Sequence, residues 1–269
     1  MKVGLIISTY NWIDALNQVL ASVKIQSHLP DEVVICDDGS GVETKDFILS
    51  IQKNFPCKLK YVWHEDNGFR AAAIRNKGII ELSKNIKYVL VIDGDMILHH
   101  KFIEDHIHAA EKNCFIQGGR ALISKNKTLE IFKSSYLKTS LGFFSSGLLN
   151  RKNTLYLPFL VRFFDKSNNK LSGIRTCNMS FWKDDLYEVN GFNEDFIGWG
   201  REDSELALRL FNIGKLRKNI KFAGLAYHLH HKERSRSNIS ENDKHLFEAV
   251  SSKSYWCQNG LKKFKKNES

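Results

Sequence analysis

The chain has 269 residues, 42% of them hydrophobic and 26% charged, with a formal net charge of +10. That length can bury a sizeable core as one large domain or two small ones, and the composition is globular rather than disordered or fibrous. Five scattered cysteines without a CxxC pair argue against a disulfide framework or a zinc cluster, and for a reducing compartment.

Apolar runs alternate between strand and helix patterns. The opening run, KVGLIIS at 2–8, is too short and too soon polar for a signal peptide, and reads as a buried strand. Ile13, Leu16, Leu20 and Val23 then line one helix face. EVVIC at 32–36 is the next strand, followed by a helix over about 43–53; LKYVW at 59–63 precedes a helix over about 70–82. YVLVI at 88–92 precedes another helix near 101–112, and Leu206, Leu210 and Ile213 recur at helical spacing over about 202–213. This alternation predicts an α/β fold with a mainly parallel sheet, whose ligands bind beyond the carboxyl ends of the strands. No stretch reaches the 18 or so apolar residues of a membrane span, so the expected location is cytoplasmic.

Those strand ends carry polar clusters: Ser8-Thr9-Tyr10-Asn11, Asp37-Asp38-Gly39-Ser40 and Asp93-Gly94-Asp95. Neither GxGxxG nor GxxxxGK[ST] follows the first strand, which excludes the usual dinucleotide and P-loop classes. Asp-Gly is a common turn signal, but two carboxylates at a strand end can also hold a hard cation. His228, His230 and His231 follow a late apolar run; strand alternation puts His228 and His230 on one side, and imidazole with carboxylate suits manganese better than magnesium. His99, His100, His106 and His108 read as a solvated helix region. Arg75 sits on the helix after the third strand, where it either reaches an anionic ligand or is a surface arginine.

Between Arg120 and Arg175 there are eleven Lys/Arg against Glu130 and Asp165, interleaved with LGFFSSGLL and LYLPFLVRFF. That mixture suits either an anionic membrane surface or a partly buried insert with a solvated basic face. The tail LKKFKK repeats it, and no nucleic-acid motif accompanies the charge. The run GFNEDFIGWGREDSELALRL places Trp199 between two glycines at a helix mouth rich in carboxylates. Dipole complementation explains Glu202, Asp203 and Glu205, but not the aromatic between glycines.

STYNW, DDGS, NGFRAAAIRNKGI and VIDGD, in this order, resemble an inverting family 2 glycosyltransferase of the GT-A fold. CNMSFWKDDLYEVNGFNEDFIGWGREDSELALRL, with the later HLHH, resembles the carboxyl-terminal part of β-1,4-galactosyltransferases and bacterial polysaccharide polymerases. The resemblance covers about 1–119 and 173–234, and implies one GT-A domain: a nucleotide-sugar half (1–119), a basic apolar insert (120–172), and an acceptor and catalytic half with a basic tail (173–269). It implies that Ser8, Tyr10 and Asp38 hold uridine, that Arg75 anchors the nucleotide or diphosphate, and that Asp93 lies on the ribose side. Asp95, His228 and either His230 or His231 would bind Mn2+, with Mg2+ as the alternative. Asp203 would be the base and Glu202 would orient the acceptor or its loop. Trp199 and Gly200 would form a hinged wall, with Asn178 also on the acceptor side. The implied activity is transfer of a hexose or N-acetylhexosamine from a UDP-sugar to a saccharide or lipid-linked glycan, at the inner face of a membrane. A sugar nucleotidyltransferase, or a non-catalytic membrane scaffold of the same fold, is the alternative reading.

Overall fold

The computed structural model describes residues 1–134, 141–164, 166–232 and 237–267, with side chains as far as Phe264. Parts of the basic segment (135–140 and 165), the end of KERSR (233–236) and the last lysine side chains of the tail lie outside the described residues.

The first half alternates as its apolar periodicity requires: β1 (Val3–Thr9), α1 (Ile13–Lys24), β2 (Glu32–Asp37), α2 (Val42–Gln52), β3 (Lys58–Trp63), α3 (Ala71–Glu81) and β4 (Tyr88–Asp93). A short β5 (Met96–Leu98) and α4 (Phe102–Ala109) follow, then β6 (Cys114–Gln117), β7 (Ala121–Leu122) and α5 (Lys125–Ser134). The remainder contributes α6 (Val161–Phe164), β8 (Ser167–Asn168), β9 (Asn178–Trp182), α7 (Lys183–Glu188), α8 (Glu202–Asn212), β10 (Leu216–Asn219), β11 (Ala226–His228) and α9 (Ile239–Ser252).

The larger sheet has eight strands in the order β3-β2-β1-β4-β9-β6-β10-β8. β3, β2, β1 and β4 are mutually parallel, whereas β9 runs antiparallel to both β4 and β6. The expected mainly parallel sheet is thus parallel in its first half and mixed in its second, because β9 returns from far along the chain to insert between β4 and β6. Val3, Leu5 and Ile7 pack against α1, α2 and α4 on one face; Ile6, Val34 and Cys36 pack against α3 and α8 on the other. Burial on both faces is why these strands read as continuous apolar runs.

A second sheet, β5-β11-β7, stands beyond the ends of the parallel strands. Its strands have two or three residues, too few for an alternating pattern to show. α4 also differs from expectation. His106, read as part of a solvated region, is fully buried, with Nδ1 2.8 Å from Ser180 Oγ and Nε2 2.9 Å from Asn178 Oδ1. Phe102 and Ile103, one helical turn earlier, direct that face onto the sheet. Among the described residues no helix is long and apolar enough to cross a membrane.

Candidate active site

Pairing of Ser8 with both Cys36 and Asp93 brings the ends of β1, β2 and β4 level. Ser8 Oγ donates to Asp93 Oδ1 at 3.0 Å, and Gly94 N donates to Ser8 O at 2.7 Å. A Cβ on Gly94 would stand 2.8 Å from that same carbonyl, so only glycine lets the Asp93–Asp95 turn lie against β1. The turn leads into β5, and β11 pairs with β5 so that His228 faces Met96, one residue from Asp95.

This pairing assembles a cluster. His228 Nε2 lies 3.5 Å from Asp95 Oδ1, His231 Nε2 lies 3.4 Å from Asp95 Oδ2, and the two Nε2 atoms are 3.3 Å apart. All three ligand atoms fall within 4.8 Å of one another. His231 Nδ1 donates to its neighbour's carbonyl, Lys232 O, at 2.7 Å, which leaves the Nε2 lone pair free to face the cluster. Burial, reinforced by the nearby Arg120 charge, holds His228 down to about 4, so it is neutral as a metal ligand must be. One carboxylate and two imidazoles are a donor set that fits a divalent transition ion.

The partner of His228 is therefore His231 rather than His230. β11 ends at His228, so strand alternation does not carry on to residue 230. The His230 amide is anchored to Thr128 Oγ1 at 2.9 Å, and its ring lines the cleft outside the cluster.

Arg75 is buried and bridges two elements: Nη2 lies 3.0 Å from Asp93 Oδ1, and Nη1 3.1 Å from Glu202 Oε1. Burial opposes its charge, but Asp93 and Glu202 outweigh that and raise its pKa. Glu202 Oε2 is buried without a hydrogen bond among the described residues. Beside it, half-buried Asp203 accepts from Ser204 N at 2.7 Å and is pushed up to about 7, first by burial and then by the Glu202 charge.

The mouth of α8 is an irregular turn. Gly198, Gly200 and Arg201 all have positive φ (77°, 103° and 80°), and Trp199 between them is 41% exposed. A non-glycine residue in that region costs roughly 1–2 kcal/mol, and the loop is tied down accordingly. Gly198 N donates to Phe69 O at 2.9 Å, Asn242 Nδ2 reaches Ile197 O and Gly200 O, and Arg201 pairs with Asp243 at 2.5 Å. The expected hinged wall is held in place by α9. Glu205, read as a dipole complement, is the ion-pair partner of fully buried Arg209, whose guanidinium also donates to Val189 O and Gly191 O.

Toward β2, buried Asp38 accepts from the Arg70 amide at 3.0 Å and lies 2.7 Å from His64 Nε2; Tyr10 Oη donates to Asp66 at 2.8 Å. His64 and Asp66 were not singled out from the sequence, where neither belongs to a motif of its own. Asn178 is not in the cleft. It is fully buried on β9, where its Nδ2 holds Gly119 O at 2.7 Å and Gly224 O at 3.0 Å, so its role is to fix neighbouring backbone. The other residues converge: Ser8, Tyr10, Asp38, Arg75, Asp93 and Asp95 share one cleft of about 970 Å3 with Trp199, Gly200, Glu202, Asp203 and the three histidines.

Residues 5–183 match the family described as glycosyl transferase family 2. The chain belongs to that family. Residues 160–232 of this glycosyltransferase also match the family described as N-terminal domain of galactosyltransferase. It is 30% identical over 245 residues to a chondroitin synthase of Pasteurella multocida, covering 84% of this chain and 24% of the relative. Against a chondroitin synthase of Escherichia coli it is 27% identical, covering 84% of this chain and 34% of the relative. The chain thus spans between about a quarter and a third of the length of these synthases. Its fold is also that of S. aureus TarS residues 1–349 solved with UDP, at a TM-score of 0.60 and 14% identity, over 94% of this chain and 65% of that one.

Proposed function

We propose that this family 2 enzyme transfers a hexose or N-acetylhexosamine from a UDP-sugar to a hydroxyl of a growing or lipid-linked glycan, inverting the anomeric centre with the help of a divalent ion. One observation carries the reading: a carboxylate–bis-imidazole cluster and a carboxylate near pKa 7 face the same cleft, beyond the ends of parallel strands. The UDP complex of the structural neighbour and the polymer-making relatives support the donor and acceptor classes.

Asp95, His228 and His231 would hold the ion, with manganese the better match to their donors and magnesium the alternative. When bound, it would supply positive charge to the departing diphosphate as a Lewis acid. Tyr10 and Asp38 would receive uridine on the β2 side of the cleft, with Ser8 and Asp93 near the ribose. Asp203 takes the proton of the acceptor hydroxyl as that oxygen bonds to the anomeric carbon and the bond to the UDP oxygen breaks. A base titrating near 7 matches neutral operation, being both ionised and basic enough to accept the proton. Glu202 raises Asp203 by its charge, and Arg75 holds Glu202 in place. Trp199 offers an apolar face to a sugar ring.

We further propose that the basic segment rests on an anionic membrane. Phe144 is 93% exposed, Phe159 68% and Phe163 66%, with Arg151, Lys152 and Arg162 close by in sequence. The deciding assay is UDP release from a panel of UDP-sugars with manganese or chelator. Manganese-dependent turnover of one donor, lost in Asp203→Asn while UDP still binds, is the expected result. Absence of UDP binding with manganese present overturns the donor assignment.

A further inference from the structure

Five lysine or arginine side chains line the cleft among the described residues: Arg75, Arg120, Arg175, Arg201 and Lys232. Arg75 is engaged by Asp93 and Glu202, and Arg201 by Asp243. Arg175 and Lys232 are both exposed.

Arg120 differs from the exposed pair in being half-buried, and from Arg75 and Arg201 in that, among the described residues, its guanidinium has no carboxylate partner; its one hydrogen bond runs from Nη1 to Cys177 Sγ at 3.5 Å. Its backbone, in contrast, is firmly held. Asn150 Nδ2 and Asn153 Nδ2 both donate to Arg120 O, at 3.0 and 2.8 Å, and Asn178 Nδ2 holds the preceding carbonyl of Gly119. β7 begins at the next residue and runs parallel to β11, with Ala121 opposite Tyr227 and Leu122 opposite His228. Arg120 lines the same cleft as Leu122 and His228, near enough for its charge to act on the His228 imidazole.

Charge balance indicates what such a cation is for. A divalent ion held by the single carboxylate of Asp95 keeps one net positive charge, fewer than the negative charges of a nucleoside diphosphate. Arg75 cannot make up the difference, because two carboxylates already neutralise it. Resting on the nucleotide-sugar reading above, we propose that Arg120 binds the diphosphate of the donor beside the Asp95–His228–His231 cluster, as the protein's fixed cation for the leaving group. A guanidinium suits the task because its planar fork matches phosphate oxygens and its charge is permanent. The asparagines of the basic segment then have a role of their own, fixing the position of this arginine.

The test is calorimetric titration of UDP, UMP and uridine, with manganese, into wild type, Arg120→Gln, Arg120→Lys and Arg175→Gln, which removes an exposed charge from the same cleft. A lost charge-assisted hydrogen bond should weaken UDP binding of Arg120→Gln roughly 10- to 100-fold, with uridine affinity unchanged. Arg120→Lys should fall between, and Arg175→Gln should stay within about twofold of wild type. Unchanged melting temperatures establish that the variants fold; if Arg120→Gln does not, Arg120→Lys carries the comparison. UDP affinity in the Arg120 variants within about twofold of wild type, or an equal loss for uridine and UDP, overturns this assignment while leaving the nucleotide-sugar reading intact. If wild type binds no UDP with manganese, both fall together.

Discussion

Asp203→Asn should abolish most activity and stabilise the fold, and the second effect should depend on pH. Asp203 sits at about 7 in the folded protein against 3.8 for an ordinary aspartate. A shift of three pK units is worth about 4 kcal/mol at 1.4 kcal/mol per unit, and partial exposure reduces that to roughly 2 kcal/mol. Below pH 4 both folded and unfolded chains hold the proton, and the shift has no effect on stability. As pH rises from about 4 to 7 the unfolded chain loses its proton while the folded site resists ionisation, so stability is lost progressively and the deficit is complete above 7. Asparagine removes the deficit. At pH 8 the variant should therefore melt roughly 4–8 °C above wild type, and near pH 4 the two should coincide. Turnover should fall by about 10²- to 10⁴-fold, the usual contribution of a general base. Wild-type turnover at saturating manganese should drop about tenfold per unit below pH 7, and Glu202→Gln should move that limb to lower pH. A melting difference independent of pH, with a wild-type rate flat from pH 5.5 to 8, would refute the reasoning by showing that Asp203 titrates as an ordinary aspartate.

Three further outcomes follow from other parts of the molecule. His231→Ala should weaken manganese binding more than about 100-fold by calorimetry, whereas His230→Ala should stay within a few fold; the reverse order would restore residue 230 as the ligand. Arg209→Met leaves Glu205 as a buried, unpaired charge and should cost about 3–5 kcal/mol in urea denaturation; adding Glu205→Gln should recover much of it, and equal loss in both variants would mean that packing dominates there. Sedimentation with anionic vesicles should be reversed by salt and reduced at least roughly tenfold by Phe144→Ser with Phe163→Ser, while equal sedimentation with neutral vesicles removes the membrane surface from the account.

Local pattern and composition were enough to determine the alternating first half of this chain. Runs such as KVGLIIS and YVLVI are continuous because the strands are buried on both faces, so periodicity and turn residues marked β1 to β4 and the polar clusters at their ends. The GWGRED turn was also legible, since an aromatic between glycines before a helix is a local oddity with a local cause: three backbone positions with positive φ. What tertiary structure alone decided is how distant pieces meet. β9 enters between β4 and β6 from beyond a long excursion, and His106 turns inward because Ser180 and Asn178 on that strand receive it. The sheet β5-β11-β7 has strands too short to print a pattern, yet its register brings His228 up to Asp95, and the chain beyond β11 places His231 rather than His230 beside them. Arg75 read as either a contact for an anionic ligand or a surface arginine; folding buries it between two carboxylates, while half-buried Arg120 in the same cleft has no carboxylate partner among the described residues. Sequence spacing encodes the direction of a side chain along its own element; which charges neutralise one another depends on distances between elements, and only the folded chain sets those.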